Sequence, residues 1–251
     1  MKNPPLKAKP VHESNIRQPI IQVENLIKTF GHLTALRGIS FTLNRGDFFV
    51  LFGPNGAGKT TLIRILSALL HPTSGRVLID NCDMSECAEE LRQKIGVISH
   101  HVYLYNNLTA HENIVFFARL YNVANPEKRA DQVIGEVGLI ARKNDLVRTF
   151  SRGMYQRLSI ARAIVHDPQI VLLDEPYTGL DQHAAQMLKN LLVKLHQAQR
   201  TIVMITHNLQ RGVEIGTRLA IQVKGQIVFN EYQHQVDLAG FEELYFKYVG
   251  N

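Results

Sequence analysis

The chain has 251 residues, 45% hydrophobic and 20% charged, with a net charge of +6, a size and balance that suit one large soluble α/β domain or a core with a smaller lobe. No apolar run approaches the roughly 18 residues of a membrane span, and the charged N-terminus has no apolar centre, so no secretory signal is expected. The charge forms no basic stripe interleaved with aromatics, which argues against nucleic acid as a partner.

Residues 1–19 carry Lys2, Lys7, Lys9 and Arg17 against Glu13, together with Pro4, Pro5, Pro10 and Pro19. That composition predicts a flexible, solvated basic tail, with contact to acidic lipid heads as the weaker alternative. Strand-like runs follow at Ile20–Val23, Ile39–Leu43, Phe48–Phe52, Val77–Ile79 and Ile95–Ser99, and again at Ile170–Leu173, Ile202–Ile205, Leu219–Val223 and Ile227–Phe229. The middle ones are apolar on both faces, as strands sandwiched between helices are. Helical patterns fall at Thr60–Leu70, Ala110–Tyr121, Pro126–Gly135, Gly153–Val165 and Ala184–Gln197. Thr109 with Glu112 reads as a capping box, and Asn125 before Pro126 as an N-cap followed by proline at the first helical position. The chain thus divides into a tail (1–19), an α/β domain (20–240) with a helical insertion at about 100–167, and a C-terminal helical extension (241–251). Cys82 and Cys87 do not form a CxxC pair and are expected to be two reduced thiols.

The first motif that carries chemistry is Gly53, Pro54, Asn55, Gly56, Ala57, Gly58, Lys59 and Thr60, which follows a strand and opens a helix. It fits the phosphate-binding pattern GxxxxGK[ST] in the context that pattern requires. Glycines let the backbone curl around phosphate oxygens, and successive N–H groups face the anion. Lys59 supplies a point charge to the outer phosphates, the Thr60 hydroxyl a hard oxygen for Mg²⁺, and Thr61 continues the loop into the helix. The second is the apolar strand Ile170–Leu173 ending in Asp174 and Glu175. There Asp174 can reach the Mg²⁺ shell, while Glu175 can polarise a water against a γ-phosphate.

The segment Phe150–Ala163, with Ser151, Gly153 and Gln156 at its start, resembles the LSGGQ signature of ABC ATPases and the helix that follows it. Ser151 and Gly153 match that signature, whereas Phe150, Arg152 and Met154 depart from it. Further elements resemble the same family in order: Tyr177–Asp181 its D-loop, His207 after the strand Ile202–Ile205 its switch histidine, and Phe30 the aromatic that stacks on adenine. The resemblance spans roughly residues 20–230. It implies a P-loop NTPase core of ABC type with a β-rich N-terminal subdomain and an inserted helical subdomain, binding ATP and Mg²⁺. It further implies Lys59, Glu175 and His207 as catalytic residues, Thr60 and Asp174 as metal ligands, and Ser151, Gly153 and Asp181 as nucleotide contacts, with Ser151 of one copy facing the P-loop of the other.

His100 stands where the family usually has glutamine. Together with the Ser99–Ile114 segment, the altered signature and Tyr177–Asp181, it resembles the ATPase subunit of the haem exporters of cytochrome c maturation. His100 is the expected link between the nucleotide site and the membrane subunit, with His101 as a further candidate. The implied assembly is a homodimer docked through its helical insertion on an integral-membrane subunit at the cytoplasmic face. ABC ATPases acting on ribosomes or DNA usually carry two cassettes or a long coiled coil, neither of which is present here. A non-hydrolysing module is disfavoured by Lys59, Asp174, Glu175 and His207.

Overall fold

A computed structural model describes residues 18–99 and 103–250. The basic tail expected before residue 18, and His100 and His101, lie outside the described residues. Two sheets share the work. The first pairs β1 (Pro19–Phe30) antiparallel with β2 (Leu33–Asn44) and β4 (Ser74–Ile79), and β4 with the short β5 (Cys82–Asp83). The second holds β3 (Phe48–Phe52), β6 (Ile95–Ile98), β7 (Ile170–Asp174), β8 (Thr201–Ile205), β9 (Arg218–Val223) and β10 (Gln226–Tyr232), in the order β10-β9-β3-β8-β7-β6. Its pairs from β9 to β6 are parallel, and β10 adds an antiparallel edge.

The reason β3 reads as an unbroken apolar run is its position. Phe48, Val50 and Phe52 face one core, while Phe49 and Leu51 face the other, so alternation supplies two hydrophobic surfaces at once. β7 does the same with Val171 and Leu173 against Ile170 and Leu172. The first core lies under the helices α3 (Ala110–Leu120), α4 (Pro126–Glu136) and α5 (Arg152–Ile164), which fill the long connection from β6 to β7. The second joins the parallel sheet to the antiparallel one through α1 (Lys59–Leu66). After β7 come α6 (Gln182–Gln197), α7 (Leu209–Ile215) and the terminal α8 (Phe241–Val249), whose Phe241 ring lies 5.3 Å from that of Phe52. No helix among the described residues is long and apolar enough to cross a membrane.

Several sequence expectations need correction. Cys82 and Cys87 are joined as a disulfide with Cα atoms 6.3 Å apart, rather than standing as two thiols. The turn from β5 into α2 (Met84–Lys94), capped by Asp83 on the Ser85 N–H at 2.9 Å, brings them face to face. Asn125 occupies the N-cap position of α4, but in a left-handed conformation (φ 55°) with no side-chain hydrogen bond to the helix. α1 stops at Leu66 rather than Leu70, because Ala68 turns left-handed (φ 54°). The first strand already includes Pro19. By contrast, the Thr109–Glu112 capping box is complete, each side chain bonding the other residue's backbone N–H at 3.1 and 2.8 Å.

Candidate functional site

In the parallel sheet β8 lies between β3 and β7. The loops that leave the C-terminal ends of these three neighbours therefore converge, at the place where open α/β sheets put their ligands. The loop after β3 is Gly53–Gly58, the residues after β7 are led by Glu175, and His207 follows β8. A cavity of about 540 Å³ opens there. Asn55–Thr61 line it on one side, Asp174 and Glu175 on another, and Phe30 at the rim.

The loop conformation is imposed by its neighbours. Gly58 holds φ +98° at the start of α1, and a Cβ there would collide with the Ala35 carbonyl and lie 2.9 Å from the Gln222 amide nitrogen. Gln222, fully buried in β9, donates from Nε2 to the Ala57 carbonyl at 2.8 Å. The Gly225 N–H donates to the same oxygen at 3.0 Å. The loop is thus clamped by the β9–β10 hairpin, a support the sequence reading missed. A glutamine within the otherwise apolar run Leu219–Val223 was the available signal, since buried polar groups need a partner.

Lys59 is buried, and its ammonium donates to the carbonyls of Gly53 and Pro54 at 2.7 and 2.9 Å. An ammonium has three donors, so one remains for a phosphate oxygen. Burial pushes its pKa below the usual lysine range, and the Glu175 and Asp174 carboxylates oppose that shift. Asp174 ends β7 in a buried position. Glu175 sits in the left-handed region (φ 52°), where few non-glycine residues settle without a reason. Its N–H is fixed by the Ile205 carbonyl at 3.0 Å, and its Oε2 accepts from Nδ1 of the exposed His207 at 2.8 Å. Phe30 is 45% exposed, with the Lys28 ammonium 5.0 Å from its ring centroid, so it is a surface platform and not a core residue. Arg37 and Lys224 also line the cavity, and neither was anticipated.

The hydroxyl of Thr60 and the carboxylate of Asp174 border the same cavity as Lys59. Two hard oxygens beside a phosphate loop fit Mg²⁺, which keeps waters and phosphate oxygens as its remaining ligands. Clusters of three or more acidic, histidine or cysteine ligands are absent among the described residues, as such a site allows.

Ser151, Gly153 and Asp181 are not among the residues that line this cavity. Ser151 caps α5, accepting from the Met154 N–H at 3.3 Å, and Asp181 caps α6, accepting from the Ala184 N–H at 2.7 Å. The two helix starts abut: a Cβ on Gly153 would lie 2.9 Å from Cβ of Ala184. Of the signature departures, Phe150 and Met154 pack against the core below, while Arg152 is exposed.

A family model described as ABC transporter matches residues 36–178. The linearmycin resistance ATP-binding protein LnrL of Bacillus subtilis is 34% identical over 211 residues, covering 83% of this chain and 68% of that protein. The ABC transporter ATP-binding protein NatA of the same organism is 34% identical over 198 residues, covering 78% and 80%. Among solved structures, the ATP-binding cassette MJ0796, a dimer in a post-hydrolysis state with ADP and Pi, superposes with a TM-score of 0.77 at 30% identity, covering 85% of this chain and 99% of that one. The cbiO1 protein of Clostridium perfringens, part of the transporter complex cbiONQ, gives a TM-score of 0.81 at 26% identity, covering 91% and 92%.

Proposed function

The chain belongs to the ABC transporter family of ATP-binding subunits, an ATPase that uses ATP with Mg²⁺, and from that premise we propose that two copies close around ATP to drive a membrane exporter. One observation carries the proposal. The cavity gathers Lys59, Thr60, Asp174 and Glu175, the last hydrogen-bonded to His207, yet leaves out Ser151, Gly153 and Asp181. A second copy related by a two-fold axis supplies those three to the open side of the cavity.

In this reading the loop N–H groups and Lys59 hold the phosphates, and Phe30 stacks on the base. Thr60 and Asp174 would hold Mg²⁺, whose charge would offset that of the phosphates. Glu175 orients the attacking water and accepts its proton at a carboxylate oxygen. An ionised Glu175 accepts from His207 Nδ1–H, which keeps the carboxylate aimed while the ring waits beside the position of the γ-phosphate. Glu175→Gln keeps the shape and removes the base. Turnover should fall by about 10²–10⁴ while ATP binding persists, and the ATP-bound dimer should accumulate. Near-normal turnover in that variant overturns the assignment.

The membrane subunit is placed against the segment that opens and includes α3. Tyr103, Tyr105, Phe116 and Leu120 are all exposed there, an apolar patch of the kind that marks an interface. His100, at the start of this segment, is proposed as its link to the nucleotide site. The site then sits at the cytoplasmic face, where ATP is found. Haem export is the cargo reading supported by His100, the Ser99–Ile114 segment and the Tyr177–Asp181 run. A second reading, drug efflux, is favoured by relatives named for linearmycin resistance and fluoroquinolone export. Purifying the chain with its membrane subunit and comparing ATPase stimulation by haemin and by a fluoroquinolone separates the two. Recovery with ribosomes or DNA instead would overturn the transport reading.

A further inference from the structure

Arg152 is a poor choice for its position by local rules. It is the first residue of α5, where the helix dipole favours anions, and the first turn carries no acidic residue. Its contacts explain the choice. Nη2 donates to the Thr178 carbonyl at 3.0 Å, across 26 positions of sequence. The guanidinium lies over Gly179, whose φ is +73°, and any Cβ there would collide with it. The two residues are thus complementary: a flat cation on one element and a missing side chain on the other. The loop beneath is a run of tight turns, Thr178 N–H to the Glu175 carbonyl at 3.2 Å and Leu180 N–H to the Tyr177 carbonyl at 3.2 Å. It starts at Glu175 and ends at Asp181, the cap of α6.

We propose that Arg152 is a positioning residue that clasps the Ser151 end of α5 to the Glu175–Asp181 loop, so that the general base of one site and the serine offered to the other copy's ATP move as one unit. The inference rests on the two-copy reading above. Without the clasp, the loop keeps its anchors at the buried Tyr177 and at Leu180, while Thr178 and Gly179 between them lose their tie to the start of α5. Lysine cannot replace the clasp in full, because a single ammonium reaches the carbonyl but does not cover Gly179 as a planar guanidinium does.

The test uses the full chain and five forms: wild type, Arg152→Ala, Arg152→Lys, Gly179→Ala, and the Arg152→Ala/Gly179→Ala double variant. Arg152→Ala should lower kcat by about tenfold, the scale of a misplaced catalytic group, while KM for ATP stays within about twofold. Gly179→Ala should lower kcat at least as far, because its Cβ displaces the guanidinium and alanine is strained at φ +73°. The double variant should be no slower than the slower single variant, because the two changes break one contact. Arg152→Lys should fall between wild type and alanine. Amide hydrogen exchange across 175–181 should quicken in Arg152→Ala even in the isolated subunit. Unchanged kcat in Arg152→Ala overturns the positioning role even if exchange quickens, and strictly additive losses overturn the clasp itself. If a Glu175→Gln chain stays monomeric at saturating ATP, the two-copy reading fails by itself; exchange and additivity still decide whether the clasp exists.

Discussion

At the scale of single residues, the site is a set of side chains whose surroundings leave each one little freedom of role. Phe30 is the clearest case. The Phe30 ring is nearly half exposed at the cavity rim, and Lys28 covers only part of one face by a cation–π contact. A nucleobase would cover it. Phe30→Ala should therefore weaken ATP binding by about 1–3 kcal/mol, as for other base–aromatic stacks, with no matching loss of thermal stability. Equilibrium binding of a fluorescent ATP analogue to the folded variant measures this, and unchanged affinity would remove Phe30 from the site. Gly53–Thr61 and Asp174–Glu175 were legible because their chemistry is written contiguously, and Phe30 and His207 only through the ordered resemblance. Arg37, Gln222 and Lys224 were not, because their nearness to the phosphate loop is made by pairing of distant strands.

At the scale of elements, strands read well because burial on both faces leaves an apolar run, as in β3, β7 and β8. α2 escaped notice because its only buried residues are Met84 and Leu91, too few to set a helical period. α7 is a single short stretch with only Gly212 buried. The joint between α5 and the parallel sheet carries a pH dependence. His166 follows α5, its Nε2 meets the Ile95 carbonyl at 3.2 Å, and its ring stacks on Tyr121 with centroids 3.9 Å apart. Burial, reinforced by Arg162 and Arg129, pushes its pKa down to about 4, against opposition from the Ile95 carbonyl and Asp167. The folded form thus keeps the ring neutral, while the unfolded chain takes up a proton below about pH 6.5. Unfolding gains the proton, so stability declines as pH falls from about 6.5 towards 4, by about 2 kcal/mol at pH 5. Urea unfolding at pH 7.5 and 5 should show this loss in wild type and a smaller one in His166→Gln. Equal losses in both would place the pH dependence elsewhere.

At the scale of the whole molecule, each copy carries one complete cavity and one detached signature surface, and neither is a finished site. Lys59 serves the cavity of its own copy. Ser151 lies at the start of α5, outside that cavity. In the proposed two-copy arrangement, two-fold symmetry would give each site Lys59 from one copy and Ser151 from the other. That assignment has a consequence no single-copy site shares. Lys59→Ala removes the charge that holds the outer phosphates, and Ser151→Arg replaces a small hydroxyl with a bulky cation; each homodimer then has both of its sites damaged. Mixing the two proteins places both lesions in one site of the mixed dimer and leaves the other intact. If copies exchange freely and the sites act independently, about a quarter of wild-type turnover should return, since half the dimers are mixed and each has one intact site. Native mass spectrometry verifies that mixed dimers are present at saturating ATP. Turnover that stays at the level of the separate variants, with mixed dimers present, would mean that Lys59 and Ser151 serve the same site within one copy, or that both sites must fire together. A Ser151→Arg/Lys59→Ala double variant mixed with wild type distinguishes these outcomes. Shared sites that must fire together leave such a mixed dimer with no intact site and no turnover, whereas a single-copy site leaves the wild-type half active.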